Sequence, residues 1–276
     1  MSTFAPPGLE EGLRAIPILW FTDHDVICTS VEKTPTATLA SMAIDTQDAM
    51  SYRYLLAFLG SLLIIVGAVE RGWAWLAVWP GCDLVALAFA HAKGIHRIFG
   101  KRPDGTLPLW AWLVFFPMLS YILLVWHLAR SLSRKPACSV VTGQLLIGRR
   151  LLASELDGEF DNYIDLTAEI AEPSAIRRLP AYRSFPILND AAPSPEALRI
   201  AIRSLKPGRT FVHCGRGYSR SALFALAMLL TAGVAHSVED GLRLLTAARP
   251  GIRLTREQHK CIQAYANLCS SDRGSR

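Results

Sequence analysis

Several signatures are missing from this sequence of 276 residues. Its six cysteines (Cys28, Cys82, Cys138, Cys214, Cys261 and Cys269) show no paired framework and none of the short spacings of a zinc site. A disulfide-stapled secreted module is therefore excluded, and neither a metal nor another cofactor is expected. The N-terminus lacks the basic start and apolar core of a signal peptide. There is no internal repeat and no nucleic-acid motif. The formal net charge of +6 needs no nucleic-acid partner, because basic residues cluster at the ends of apolar segments and around one anion-binding loop.

Charge is scarcest between residues 54 and 129. Tyr54 to Val69 is sixteen residues without a charge, Trp73 to Ala92 is twenty with only Asp83, and Leu107 to Ala129 is twenty-three with none. A bilayer core of ~30 Å takes about twenty helical residues, so the three runs predict about three transmembrane helices, near 54–69, 73–92 and 107–129. Arg53, Glu70, Arg71, Lys93, Arg97 and Arg130 bracket them, and Tyr52, Tyr54, Trp73, Trp75, Trp110, Trp112 and Trp126 lie near their ends, as interfacial aromatics do. Asp83 is costly in lipid and must face another helix, unless its segment is shifted or re-entrant. With three spans the flanking basic residues nearly tie across the bilayer, so charge leaves the orientation open. Residues 1–49 fit neither a span nor a fold. They read as a disordered tail, or as a mis-called extension with translation starting at Met50.

What the chain does have is a nine-residue stretch, His213-Cys214-Gly215-Arg216-Gly217-Tyr218-Ser219-Arg220-Ser221. The apolar run Thr210 to Val212 before it reads as a buried strand, and Ala222 to Ala232, stopped by Gly233, as a buried helix. A glycine-bearing loop between strand and helix turns successive N–H groups inward and binds an anion at the helix N-terminus. That field lowers a thiol's pKa, which makes Cys214 a thiolate nucleophile. Arg220 grips two phosphate oxygens with its planar fork. Ser221 stabilises the thiolate when it leaves, and His213 orients the loop through a hydrogen bond. Gly215, Arg216, Gly217, Tyr218 and Ser219 form the substrate-binding wall, with Arg216 as an extra cation and Tyr218 at the rim.

These residues resemble the loop of the cysteine-dependent protein phosphatases, in particular the dual-specificity branch, His-Cys-x-x-Gly-x-x-Arg-Ser/Thr. The likeness continues downstream in Ser237 to Leu242, in Ala248-Arg249-Pro250-Gly251-Ile252 and in Gln258 to Leu268. Upstream it includes Leu145 to Gly148, Tyr163 to Thr167 and Phe185 to Leu188. It implies an α/β fold over about 138–269, a central sheet with helices on both faces, preceded by the helical membrane region and a basic linker at 131–137; residues 270–276 form a tail. It also implies a general acid on a separate loop, which protonates the leaving oxygen and then activates water. Asp190 is the candidate. Its spacing to Cys214 is short for the family, and a shift of one residue would put Asn189, which cannot donate a proton, in that place. Asp165, on a strand far earlier, is a poorer acid.

The resemblance implies a membrane-anchored phosphomonoester hydrolase working through phosphocysteine on phosphoproteins. The alternatives are a phosphatase of a membrane lipid phosphate and a catalytically weak phosphate-binding adaptor. A rhodanese-type sulfur transferase fits less well, given Ser221 and Arg249-Pro250. Because a thiolate persists in a reducing compartment, the catalytic domain is expected in the cytosol.

Overall fold

The computed structural model describes residues 48–70 and 72–274. The expected N-terminal extension lies outside these residues, except for its last two, which begin the first helix.

Helices α1 (Asp48–Val69) and α2 (Val78–Lys93), joined by a 3-10 turn at Gly72–Ala77, form an antiparallel hairpin. Glycines set the crossing. A Cβ on Gly60 would meet the Gly81 carbonyl oxygen at 2.7 Å, and one on Gly81 would meet the Gly60 oxygen at 2.8 Å. Small residues of this kind let two apolar helices touch backbone to backbone. Two stretches, Tyr52–Val69 and Gly72–Lys93, are long and apolar enough to cross a membrane. Their outer faces are open, with Phe58, Ile65, Val69 and Trp73 all exposed.

The third apolar run behaves differently. It is split into α3 (Leu109–Val114) and α4 (Phe116–Leu132). Pro117, which has no N–H, sits in the first turn of α4, where that loss costs least. The α2 helix holds the break from both sides: Trp79 Nε1 donates to the Val114 carbonyl at 2.7 Å, and the Met118 N–H donates to the Asp83 carboxylate at 3.3 Å. Asp83 is buried and spends its charge on the positive end of α4 rather than on lipid. Both ends of the run then return to the same domain. Before it, Lys101 is buried on Asp165 and the Gly105 carbonyl accepts the Glu172 N–H. At its other end, Trp126 in its last turn bonds Gly215, and Arg130 just after it bonds Glu155. A segment docked at both ends on one domain does not cross a bilayer, so among the described residues the candidate spans number two rather than three.

Five strands follow: β1 (Cys138–Val140), β2 (Leu145–Arg149), β3 (Asn162–Thr167), β4 (Tyr182–Ile187) and β5 (Thr210–Cys214). They form one sheet in the order β1-β2-β5-β3-β4, parallel except for β1. The chain adds α5 (Ser174–Arg177), α6 (Pro195–Arg203), α7 (Arg220–Thr231), α8 (Val238–Ala248) and α9 (Arg256–Gly274). Side chains alternate across the strands. Ile147, Ile164 and Val212 face the core under α6 to α9, while Leu146, Tyr163 and Phe211 face the other way. The helices flank the sheet unevenly: that second face is covered by the single turn of α5 and by coil carrying Leu151, Leu156 and Phe160. A further apolar cluster joins Leu56, Leu87, Phe99, Phe115 and Leu119 to Ala168 and Leu188 at the ends of β3 and β4. The open end of the hairpin therefore rests on the C-terminal edge of the sheet, where ligands bind in open parallel sheets.

Candidate active site

Strand β5 is buried at every position and delivers Cys214 to that edge, and α7 starts six residues later with Arg220. The loop between them is shaped from outside. Gly217 has φ of +78°, and a Cβ there would lie 2.4 Å from the Gly148 carbonyl, so only glycine fits. The carbonyls of the loop point away from its centre. That of Cys214 accepts the Arg150 N–H at 2.8 Å. That of Gly215 accepts Trp126 Nε1 at 2.9 Å, and that of Gly217 accepts Arg249 Nε at 2.9 Å. With the carbonyls turned out, the N–H groups turn in. The Gly217 N–H reaches Cys214 Sγ at 3.2 Å, and Ser221 Oγ lies 3.7 Å from the same sulfur. Burial disfavours the Cys214 thiolate. The Arg220 charge, the Ser221 N–H and hydroxyl and the Gly217 N–H outweigh it, and the thiol is held below its ordinary pKa.

Arg220 is buried and forked onto Glu169, with nitrogen–oxygen distances of 2.9 and 2.7 Å, and it also donates to the Ile187 carbonyl at 2.8 Å. Its Nε is buried without a hydrogen-bond partner. An unmatched buried donor beside a ring of inward N–H groups is what an oxyanion would satisfy. Burial alone would raise the Glu169 pKa, but the Arg220 charge overrides it and the net shift is downward, so this carboxylate stays ionised and clamps the arginine.

Across the cleft, Asp190 has a φ of +61°, the only non-glycine among the described residues with positive φ. Thr255 Oγ1 donates to its carbonyl at 3.1 Å. Strain of this kind persists only where the surroundings hold it. Asp190 is partly buried, and burial raises its pKa against the opposing charges of Arg220 and Arg253. Asn189 is exposed and turns its side-chain amide onto the Asp190 carboxylate at 2.8 Å.

No family model and no curated protein matches the chain. Solved structures do. Tk-PTP in its active form is 23% identical, with 48% of this chain and 97% of that chain aligned and a TM-score of 0.43. PTPMT1 is 16% identical, with 50% and 99% aligned and a TM-score of 0.45. Human DUSP28 is 18% identical, with 49% and 97% aligned and a TM-score of 0.40.

The residues singled out in the sequence do not all converge. Cys214, Gly215, Gly217, Arg220 and Ser221 line one cradle. Arg216 is exposed, and the Tyr218 ring stacks on Arg249 and faces Lys135 at the rim. Ser219 turns away from the cradle and donates to Gln258 Oε1 at 2.6 Å, while Gln258 Nε2 donates to the Ala191 carbonyl beside Asp190. No other side chain bonds the buried ring nitrogens of His213, and the polar group that acts on the ring as a hydrogen-bond partner is the Cys214 backbone at the start of the loop. The ring also lies against Phe211 and Tyr163, with centroids 5.7 and 5.1 Å away. Burial pushes its pKa down to about 4 against the pull of Asp165, so it is a neutral packing plate beneath the loop. Trp126, read from sequence as an interfacial anchor, is buried at 5% exposure on the loop itself. Glu169 on Arg220, Arg249 and Trp126 on the loop, and Lys101 beside Glu169 are supporting contacts that local sequence reading missed. Arg249 alone carried a signal, in its Arg-Pro pair.

Ligand atoms of Asp165, Glu172 and His213 lie within 4.8 Å of one another. The Lys101 ammonium is bonded to one member of this group, Asp165 Oδ2, and to Thr167 Oγ1 and the carbonyls of Thr167 and Ile170. It places a positive charge beside Asp165.

Proposed function

We propose that this chain is a cysteine-dependent phosphomonoester hydrolase held at a membrane face, with phosphoproteins as substrates. The observation that carries the reading is the cradle: a buried thiol with a lowered pKa, ringed by inward N–H groups and by the unmatched Arg220 Nε. In the first step Cys214 Sγ attacks phosphorus and the phosphorus–oxygen bond breaks. Asp190 gives its proton to the departing oxygen. In the second step the Asp190 carboxylate takes a proton from water, the hydroxide attacks phosphorus, and the sulfur leaves as a thiolate stabilised by Ser221 and the Gly217 N–H. Arg220 and the N–H groups hold the charge that develops on the phosphoryl oxygens. Incubation of the full chain with p-nitrophenyl phosphate should release nitrophenolate and leave a transient phosphate on the peptide containing Cys214. A folded protein that binds tungstate but never turns over would favour the phosphate-binding adaptor.

A lipid phosphate is the second reading, and one observation favours it. The open end of the apolar hairpin meets the catalytic edge directly: Leu56 and Leu87 share a cluster with Leu188, and Tyr52 lies within electrostatic reach of Asp190, Glu169 and Arg220. A phosphopeptide and a vesicle-embedded phospholipid monoester, assayed side by side on the full chain, separate the two by kcat/KM.

A hairpin also changes the orientation argument. With two spans, Arg53, Lys93, Arg97, Arg102, Arg130, Arg134 and Lys135 fall on the catalytic side, and Arg71 falls between the spans. The bias and thiol chemistry then both support a cytosolic catalytic domain.

The Asp190 role has a pH signature. Its raised pKa keeps the acid protonated to higher pH, so activity on an alkyl phosphate should rise as Cys214 ionises and fall as Asp190 loses its proton. Asp190→Asn should lower kcat about 10²-fold and remove the falling limb, with a smaller loss on p-nitrophenyl phosphate, whose leaving group needs little help. A falling limb that survives the substitution would assign the acid elsewhere.

A further inference from the structure

We propose that Trp126, from the apolar helix α4, is a positioning residue for the phosphate loop, so that the helical half completes the catalytic site. The proposal rests on the phosphatase reading above for its kinetic consequence, and on geometry alone for its binding consequence.

In a trans peptide the carbonyl and the following N–H point in opposite directions. Four other peptide planes of the loop are fixed by donors outside it, through the carbonyls of Cys214, Arg216, Gly217 and Tyr218, which accept from Arg150, Arg249 and Arg253. Arg249 holds the carbonyls of Arg216 and Gly217, at 3.5 and 2.9 Å, and the result is visible in the Gly217 N–H, which points inward onto Cys214 Sγ. The plane between Gly215 and Arg216 lies between a glycine, which has no side chain to fix it, and an arginine whose side chain is exposed. Its one external tie is the Trp126 indole N–H on the Gly215 carbonyl at 2.9 Å. By the same geometry that bond turns the Arg216 N–H into the cradle.

The indole is itself held. The Arg150 guanidinium lies 4.7 Å over its ring, and the same Arg150 is anchored by Glu172 at 2.9 Å and the Ala171 carbonyl at 2.6 Å. The Arg150 backbone N–H bonds the Cys214 carbonyl. Trp126 and Arg150 thus hold adjacent carbonyls of the loop, those of Gly215 and Cys214, from the same side. Without the indole N–H, the Gly215 carbonyl would be left buried and unmatched. The plane could then flip, putting an oxygen where the oxyanion needs a donor.

The test uses the full chain in detergent. Trp126→Phe keeps a ring beneath Arg150 and removes the donor. Tungstate affinity and kcat/KM should each fall about tenfold, the order of one buried hydrogen bond lost. The pH at which Cys214 becomes reactive to iodoacetamide should rise, and the thermal unfolding midpoint should stay within a few degrees. Site-specific benzothienylalanine at position 126, in which sulfur replaces the N–H in a ring of the same shape, is the second variant and should reproduce the losses even if the phenylalanine protein folds poorly. Unchanged tungstate affinity and unchanged thiol titration in the benzothienylalanine protein would overturn the proposal. Weakened tungstate binding in a chain that shows no turnover at all would support the positioning role and overturn the phosphatase reading instead.

Discussion

Cys214→Ser is expected to lower turnover by more than about 10⁴-fold, since a nucleophile that acts as part of a unit takes nearly the whole rate with it. The cradle lowers a thiol's pKa by lining the sulfur with the Gly217 N–H, the Ser221 hydroxyl and the Arg220 charge. The same field acting on an alcohol starts from a pKa several units higher and leaves it protonated at neutral pH. The serine oxygen is also smaller and sits farther from an incoming phosphorus. Binding should survive, because the oxyanion is held by N–H groups and by Arg220, none of which changes. The two readouts are therefore initial rates, which should collapse, and tungstate affinity, which should stay within about threefold. A serine variant that kept a hundredth of the activity would remove Cys214 from the nucleophile's place, and one that lost tungstate binding would mean that the cradle depends on the sulfur for its shape.

Much of the C-terminal half was legible because its signals are local. Strands β2, β3, β4 and β5 and the helix α7 fall on short apolar runs with turn residues beside them, and the loop carries its chemistry within nine consecutive residues. The strand β1 was missed because Cys138-Ser139-Val140 is three residues long, only partly buried and tied to the sheet by pairing with β2 alone. The third apolar run misled for a physical reason. Hydropathy reports that a segment avoids water, and α3 and α4 satisfy that by packing on α2 and on the catalytic domain as well as by facing outward. Whether a run crosses depends on where its ends dock, and that is decided by Lys101 and Trp126 reaching partners 64 and 89 residues away. The same separation hid the supports of the site. Glu169 gives no local sign that it will clamp Arg220, 51 residues later, and an indole among seven tryptophans looks like every other membrane aromatic.

Lys101→Met is expected to destabilise the whole chain by about 3–5 kcal/mol, the range for removing one partner of a buried ion pair. Both side chains of the Lys101–Asp165 pair are fully buried, with nitrogen and oxygen 2.5 Å apart. Burial opposes ionisation of Asp165, and Lys101 is the first charge that reverses it and holds the carboxyl below its ordinary range. Methionine fills the same stem but leaves that carboxylate facing Tyr182, Thr167, a neutral His213 and the nearby Glu172 carboxyl, none of which is a cation. It would either stay charged without a cation or take up a proton, and both cost stability. Asp165→Asn in the same chain should therefore recover part of the loss, because an amide needs no counter-charge. The effect should also reach the active site. Lys101 binds the carbonyls of Thr167 and Ile170, which bracket Glu169, and Glu169 fixes the Arg220 fork. Under conditions where the variant is still folded, tungstate affinity should fall several-fold, and the double variant should regain stability without regaining that affinity, since asparagine restores charge balance but not the grip on the two carbonyls. Thermal unfolding of the three proteins in detergent, with tungstate titrations alongside, reads both quantities. A midpoint unchanged in Lys101→Met would mean that water replaces the ammonium without cost, and would break the argument that the segment between the hairpin and α3 is structurally part of the catalytic domain.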